Sequence, residues 1–89
     1  MFQVRWHVAP RDSLATAWLD SDSATRRLIN SAVDEIEQML RSDPPDAGES
    51  RPGGRRIMFV TPLAIVFHVE ENERLVSVLD LWLIRPRRR

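Results

Sequence analysis

Residues 55–84 read RRIMFVTPLAIVFHVEENERLVSVLDLWLI and set the architecture of the chain. This stretch contains three apolar runs rich in Val, Ile, Leu and aromatic residues, which are typical of β-strands. Thr61-Pro62 and the polar turn Glu71-Asn72-Glu73 separate the runs. The pattern predicts a three-stranded antiparallel meander, with strands over 55–61, 63–69 and 75–84. The middle run is nearly all apolar, which predicts that its strand lies at the centre of the sheet.

Upstream of the meander, the spacing of apolar residues predicts one strand and two helices. Residues 2–8 alternate apolar and polar side chains, which predicts a half-buried strand that Pro10 ends. Asp12 and Ser13 are common N-cap residue types and predict the start of a short first helix. A second helix is predicted before Pro44, because an apolar stripe recurs there at three- and four-residue steps. The stripe consists of Leu28, Ile29, Ala32, Val33, Ile36, Met39 and Leu40.

The expected order of elements is β-α-α-β-β-β, an α+β fold. A helical hairpin packs on one face of an antiparallel sheet, and the opposite face stays open. Residues 43–54 are half Gly and Pro, which predicts a loop. The length suits a single domain over 1–89, and residues 85–89 form a basic tail. An edge strand over 2–8 or over 55–61 could pair with another chain, or either could be covered within this chain.

Charge is distributed unevenly, although the formal net charge is zero. Residues 1–50 contain five Arg against nine acidic residues, and residues 51–89 contain eight Arg against four. An Arg-rich half suits phosphates or an acidic partner segment, although a GC-rich genome would produce the same bias. The absence of Cys excludes disulfides and thiolate metal sites. With no signal-peptide pattern and no apolar run near the roughly 20 residues of a membrane span, we expect a cytoplasmic protein without a membrane partner.

The two histidines are the side chains that titrate near neutral pH. His68 shares its strand face with Ala64 and Val66, and that face could be the one that meets the helices. His7 is expected on a solvated strand face. No acidic cluster accompanies either histidine, so neither a metal site nor a cofactor is predicted.

Two further features have both a structural and a functional interpretation. Arg51 and Arg55 lie beside Pro52-Gly53-Gly54, where glycine lets the backbone approach a phosphate, but the Walker A lysine is absent. Trp6, Trp18 and Trp82 are expected to be core or interface anchors. A base-stacking platform is the alternative for the tryptophans, although the sequence does not interleave them with basic residues.

The order of elements resembles the RelE/ParE family of type II toxin–antitoxin toxins. The similarity covers nearly the whole chain, including the helical hairpin. The other landmarks are the helix exit Asp43-Pro44-Pro45, the loop Gly48-Glu49-Ser50-Arg51, the strand opening Arg55-Arg56-Ile57, the run over 62–69 and a last strand that ends at Arg85. The resemblance implies a toxin that a cognate antitoxin inhibits by wrapping a segment around the sheet and the helical hairpin.

Some members of the family cleave mRNA on the ribosome, and others inhibit DNA gyrase. By resemblance, Arg56 and Arg85 fall near catalytic basic positions. RNA cleavage also needs a base for the ribose 2′-hydroxyl, and Glu49 or His68 could serve as that base. The candidates for binding nucleic acid or a partner are Arg51, Arg55, Arg74 and Arg87. The C-terminal Tyr or His of the cleaving members has no counterpart at its expected place. Two alternatives therefore stay open: a catalytically inert binding module that docks a protein or nucleic acid through its basic half, and a lone relic of the family with no partner.

Overall fold

A computed structural model of the chain describes residues 1–84. Its helices and strands are β1 (Gln3–Trp6), α1 (Val8–Leu19), α2 (Ser23–Ser42), β2 (Glu49–Arg51), β3 (Arg55–Val60), β4 (Leu63–Glu70) and β5 (Leu75–Leu83). Short 3-10 turns precede and follow β2, at Pro44–Asp46 and Pro52–Gly54. The predicted basic tail over 85–89 lies outside the described residues.

The five strands form one sheet in the order β1-β5-β4-β3-β2. The α+β class, the meander of β3, β4 and β5 and the central place of β4 are confirmed. The expectation of a wholly antiparallel sheet is wrong, because β1 pairs with β5 in parallel, with Gln3 opposite Leu75. The alternation in β1 identifies a strand but does not encode the direction of its partner. β2 covers the outer side of β3, so the stretch over 55–61 is not an edge strand.

The start of α1 differs from the prediction. β1 ends at Trp6, His7 takes the N-cap position, and the helix begins at Val8. Pro10 therefore lies buried in the first helical turn, where its missing amide hydrogen loses no helical bond. The predicted cap at Asp12 and Ser13 is wrong for this reason, and His7 does not lie on a strand face.

α2 follows the predicted apolar stripe. The N–H of Thr25 donates to the Asp22 carboxylate at 2.8 Å, which caps the helix and lowers the pKa of that carboxyl. The helix ends at Ser42, as the prolines predicted. Leu28 and Met39 lie at the margin of the stripe and are 57% and 37% exposed. The stripe's buried members are Ile29, Ala32, Ile36 and Leu40.

The segment predicted to be a loop over 43–54 contains β2, which sequence reasoning missed. β2 pairs antiparallel with β3, with Arg51 opposite Arg55. Gly48 makes this approach possible, because its φ is +65° and a Cβ there would overlap the backbone carbonyl of Ile57. The three residues of β2 are all exposed, so the sequence carries no apolar alternation that would indicate a strand.

One face of the sheet meets the helices and forms the core. Leu63, Ile65 and Phe67 of β4 have no exposed surface and belong to the same apolar cluster as the buried residues of α2. α1 packs mainly against β5 and touches α2 only slightly. The described helices do not cover the opposite side of the sheet, which we call the open face. Within residues 1–84, neither helix is long and apolar enough to cross a membrane.

Candidate functional site

A line of five side chains crosses the open face of the sheet. Its cross-strand pairs are Arg51–Arg55, Arg55–His68, His68–Ser77 and Ser77–Arg5. Directly paired residues project from the same face, so the line runs across β2, β3, β4, β5 and β1. With a strand spacing of about 4.8 Å, it is about 19 Å long. We call these five residues the basic row.

The period of two in β-strands explains why these side chains meet on the open face. Met58 of β3 and Phe67 of β4 belong to the core on the helix side. Successive side chains alternate between faces, so Arg55 and His68 project the other way. The expectation that His68 could face the helices is therefore wrong.

His68 lies at the centre of the basic row. A Cβ at Gly54 would be 3.7 Å from its imidazole Nε2, so the glycine turn before β3 packs beside the ring. His68 is half-buried, and its neighbour Ser77 is 8% exposed. An imidazole ring can accept or donate a proton, whereas a guanidinium group supplies positive charge. The pairing of Arg55 with His68 therefore places a positively charged group beside an imidazole ring on the open face.

Glu49 and Arg51 form an ion pair at the β2 edge of the open face. A Glu49 carboxylate oxygen lies 3.2 Å from the Arg51 guanidinium, and both side chains are largely exposed. Glu49 is paired with Ile57, which places it two strands away from His68 and two residues along the strand direction. The structure therefore does not bring the two predicted bases together. Arg55 is the guanidinium that stands beside His68.

Arg56 lies on the helix side of the sheet, away from the basic row. It is paired with Phe67, whose side chain is in the core. Its Nε donates to the carbonyl oxygen of Ala47 at 2.7 Å, and its Nη2 donates to that of Gly48 at 3.2 Å. These two hydrogen bonds tie the end of the loop to β3. The structure does not place Arg56 on the same face as His68.

The other predicted arginines lie outside the basic row. Arg74 occupies the turn between β4 and β5 with a φ of 52°, and its guanidinium lies 5.3 Å from the centre of the Phe2 ring. Arg85 and Arg87 are not among the described residues. Within residues 1–84, no three His, Asp or Glu side chains come together as a metal-binding group.

Two exposed aromatic side chains stand near the basic row on the open face. Phe59 of β3 and Trp82 of β5 are both paired with Ala64 of β4, and we call these three residues the aromatic row. Phe59 is 56% exposed and Trp82 is 40% exposed. The expectation of a core anchor is therefore wrong for Trp82, while its role at an interface stays a prediction. Sequence reasoning missed Phe59, although its position four residues after Arg55 in one strand places both on the same face.

A groove of about 1010 Å³ lies between α1 and α2, alongside β1. Its main apolar lining residues are Val4, Trp6, Leu14, Trp18, Ile29 and Val33. The indole N–H of Trp6 donates to Glu37 at 3.3 Å, and that of Trp18 donates to Asn30 at 3.2 Å. In the part of the chain that the structure describes, no strand pairs with the outer edge of β1. Arg5 lines the groove and also ends the basic row.

The comparison with solved structures identifies the RelE/ParE toxin fold. A chain of the chromosomal ParDE system from P. aeruginosa has a TM-score of 0.74 at 15% identity, covering 96% of this chain and 98% of that chain. A chain of the RelBE2 toxin–antitoxin complex from Mycobacterium tuberculosis has a TM-score of 0.73 at 15% identity, covering 92% and 90%. The isolated E. coli RelE toxin has a TM-score of 0.63 at 13% identity, covering 98% and 88%. No family model and no curated protein sequence matches the chain. The predicted resemblance is confirmed at the level of the fold.

Proposed function

We propose that this chain is the toxin of a type II toxin–antitoxin pair and that its open face acts on ribosome-bound mRNA in the cytoplasm. The observation that carries the proposal is the basic row, which lines up Arg5, Arg55 and His68 across an uncovered sheet face. Guanidinium groups in such a line suit the phosphates of a nucleic-acid backbone. The likeness to structures of ParDE, RelBE2 and RelE supports the assignment as a toxin.

His68 and Arg55 would carry the cleavage chemistry. His68 removes the proton from a ribose 2′-hydroxyl, and the resulting oxygen attacks the neighbouring phosphorus. The bond from phosphorus to the 5′-oxygen breaks, which leaves a 2′,3′-cyclic phosphate and a 5′-hydroxyl. Arg55 stabilises the negative charge that builds on the phosphate oxygens. The leaving 5′-oxygen takes its proton from water, because Arg does not release one.

Binding without cleavage is the second candidate, in the form of an inert module or a gyrase-directed toxin. Within the basic row, His68 is the one side chain whose type suits a general base. Glu49, the other predicted base, forms an ion pair with Arg51 in β2. It lies two strands away from His68. A single proton carrier gives weak acid–base catalysis, whereas binding requires only the positive charges.

Inducible expression in bacteria tests the toxin assignment. Growth arrest is expected with the natural chain, should be lost with Arg55→Ala, and should persist with Arg27→Ala, which removes an exposed guanidinium from α2. His68→Gln keeps the size of the side chain but cannot shuttle a proton. It should bind RNA normally and abolish the mRNA cuts, which are mapped by primer extension and carry 5′-hydroxyl ends.

Each result separates the candidates. Arrest without mRNA cuts, accompanied by DNA damage, would assign the chain to gyrase inhibition. RNA binding without arrest or cuts would leave the inert module. Abundant folded protein with normal growth would overturn the toxin assignment.

We also propose that the groove beside β1 binds a segment of the cognate antitoxin. Its lining is mainly apolar, and the adjacent edge of β1 offers unpaired backbone groups to an added strand. The half-buried Val33 lies in the groove, whereas Leu28 is 57% exposed on the same helix and outside the groove. This difference provides a matched pair of substitutions.

Coexpression with the product of an adjacent reading frame tests this site. Val33→Asp should abolish copurification and the rescue of growth, because it places a charge in an apolar contact. Leu28→Asp should leave both unchanged. Equal effects of the two substitutions would place the antitoxin elsewhere.

A further inference from the structure

The open face combines exposed aromatic rings with the positive charge of the basic row. Phe59 and Trp82 stand on either side of Ala64, and the Ala64 side chain has no exposed surface. The aromatic row therefore presents two rings and no pocket between them. Ile84, beyond Trp82, is a further exposed apolar residue at 36%. A cluster of exposed apolar side chains of this kind usually marks a binding surface.

The two rows are arranged along the same strands. Arg55 and Phe59 are four residues apart in β3, which corresponds to about 13 Å, and His68 and Ala64 are equally far apart in β4. Across the sheet, Phe59 and Trp82 are two strand spacings apart, about 10 Å. A short stretch of single-stranded nucleic acid can reach from one row to the other.

The surface between the two rows is apolar and carries its acidic groups at the sides. Ile57 and Val66 lie between the rows on β3 and β4, and both are half-buried. Glu49 lies to one side on β2, where it pairs with Arg51. Asp80 lies to the other side on β5, and its carboxylate accepts the N–H of Leu81 at 2.8 Å. A nucleic-acid strand following β3 and β4 would therefore meet no carboxylate on its central path.

From this arrangement we propose that the open face is a stacking platform for single-stranded RNA, with bases on Phe59 and Trp82 and phosphates on the basic row. The proposal rests on the proposed function for the identity of the ligand. Aromatic faces stack on any base, and a neighbouring line of Arg follows the backbone, which is how sequence-tolerant single-strand binders work. Paired bases do not expose their faces, so the platform selects unpaired mRNA.

An abasic oligonucleotide separates stacking from charge. We would titrate the protein with a labelled single-stranded RNA of mixed sequence, and with an abasic RNA of the same length and charge, by fluorescence anisotropy. The natural chain should bind the RNA with bases more tightly by roughly 5- to 150-fold for each stacked base. An RNA duplex of the same length should bind more weakly than the single-stranded RNA with bases, because its bases are paired and cannot stack on the rings.

Two ring substitutions and one control test the residues. Phe59→Leu and Trp82→Leu remove the aromatic face of each ring. Each variant keeps an apolar side chain at the position, so the fold should be preserved. Each should lower the affinity for RNA toward that for the abasic strand and leave the abasic affinity unchanged. Trp18→Leu is the control, because Trp18 is 37% exposed but lies in the groove on the helix side. It should change neither affinity.

Several outcomes would overturn the platform. Equal binding of the RNA and abasic strands by the natural chain would leave only phosphate contacts. Ring variants that bind RNA normally but no longer copurify with the antitoxin would assign the face to protein docking. These results are distinct from failure of the toxin assignment. Tighter binding of RNA with bases, measured without growth arrest, would support the stacking platform and contradict the toxin assignment. Growth arrest without tighter binding of RNA with bases would support the toxin assignment and contradict the platform.

Discussion

The adjacent residues Arg55 and Arg56 should respond to substitution in opposite ways. Arg56 donates two hydrogen bonds, a partly buried one to the carbonyl oxygen of Ala47 and an exposed one to that of Gly48. Hydrogen bonds from a charged group contribute about 1.5–3 kcal/mol each when they are buried, so Arg56→Ala should lower the free energy of unfolding by about 2–3 kcal/mol after allowance for exposure. In a domain of this size, that corresponds to a fall in melting temperature of about 10–20 °C.

Arg55→Ala should leave stability almost unchanged and weaken RNA binding. The Arg55 side chain is exposed on the open face, where substitutions usually change stability by less than about 0.5 kcal/mol. Loss of one phosphate contact should reduce the slope of log K against log salt concentration by about 0.7 for a single strand. Arg56→Ala, measured well below its melting temperature, should keep the natural slope.

Calorimetry and RNA titrations at several salt concentrations measure both quantities on the same samples. The two variants are matched, since each removes one guanidinium from one strand. A normal melting temperature together with a reduced salt slope for Arg56→Ala would refute the placement of Arg56 on the helix side. It would also restore Arg56 as the leading catalytic candidate.

Two further predictions concern the backbone that positions the site. Gly48→Ala should lower the free energy of unfolding by about 2–5 kcal/mol, because alanine is strained at φ +65° and its Cβ would overlap the carbonyl of Ile57. Gly53→Ala should lower it by only about 1–2 kcal/mol, because Gly53 has a φ of +79° but open space around it. Equal urea midpoints for the two variants would contradict the close approach of Gly48 to β3. Asp22→Ala should lower the melting temperature at pH 7, and this difference from the natural chain should disappear as the pH falls well below 3.8. The reason is that the folded-state pKa of Asp22 is lowered, so Asp22 stabilises the fold only while its carboxylate is charged. A difference that persists near pH 2 would show that Asp22 does not act through its charge.

The elements that the sequence predicted well are those in which local pattern and burial agree. The apolar stripe of α2 and the run from Leu63 to Val69 each have one way to bury their side chains, so their type and place followed from periodicity. β2 was missed because pairing with β3 orders it, rather than any apolar pattern of its own. The start of α1 was misplaced because Pro10 is equally suited to end a strand and to occupy a first helical turn.

The candidate site was partly predictable for a related reason. Arg51, Arg55 and His68 were named from their residue types, and the meander places them side by side. Arg5 and Ser77 join the basic row through the parallel pairing of β1 with β5, which neither strand encodes alone. The choice between Arg55 and Arg56 depended on which face of β3 turns to the core. Because Ile57 and Met58 are both apolar, the sequence left that choice open.

The position of Arg5 constrains how an antitoxin can silence the proposed RNA site. Arg5 ends the basic row and also lines the groove, so a segment bound beside β1 covers this one arginine. His68 lies two strands farther in, about 10 Å from β1, and Arg55 lies beyond it. A segment confined to the groove therefore leaves the proposed catalytic pair exposed. Complete inhibition requires an antitoxin long enough to pass around the β1 edge and lie across the open face, where it would also cover Trp82.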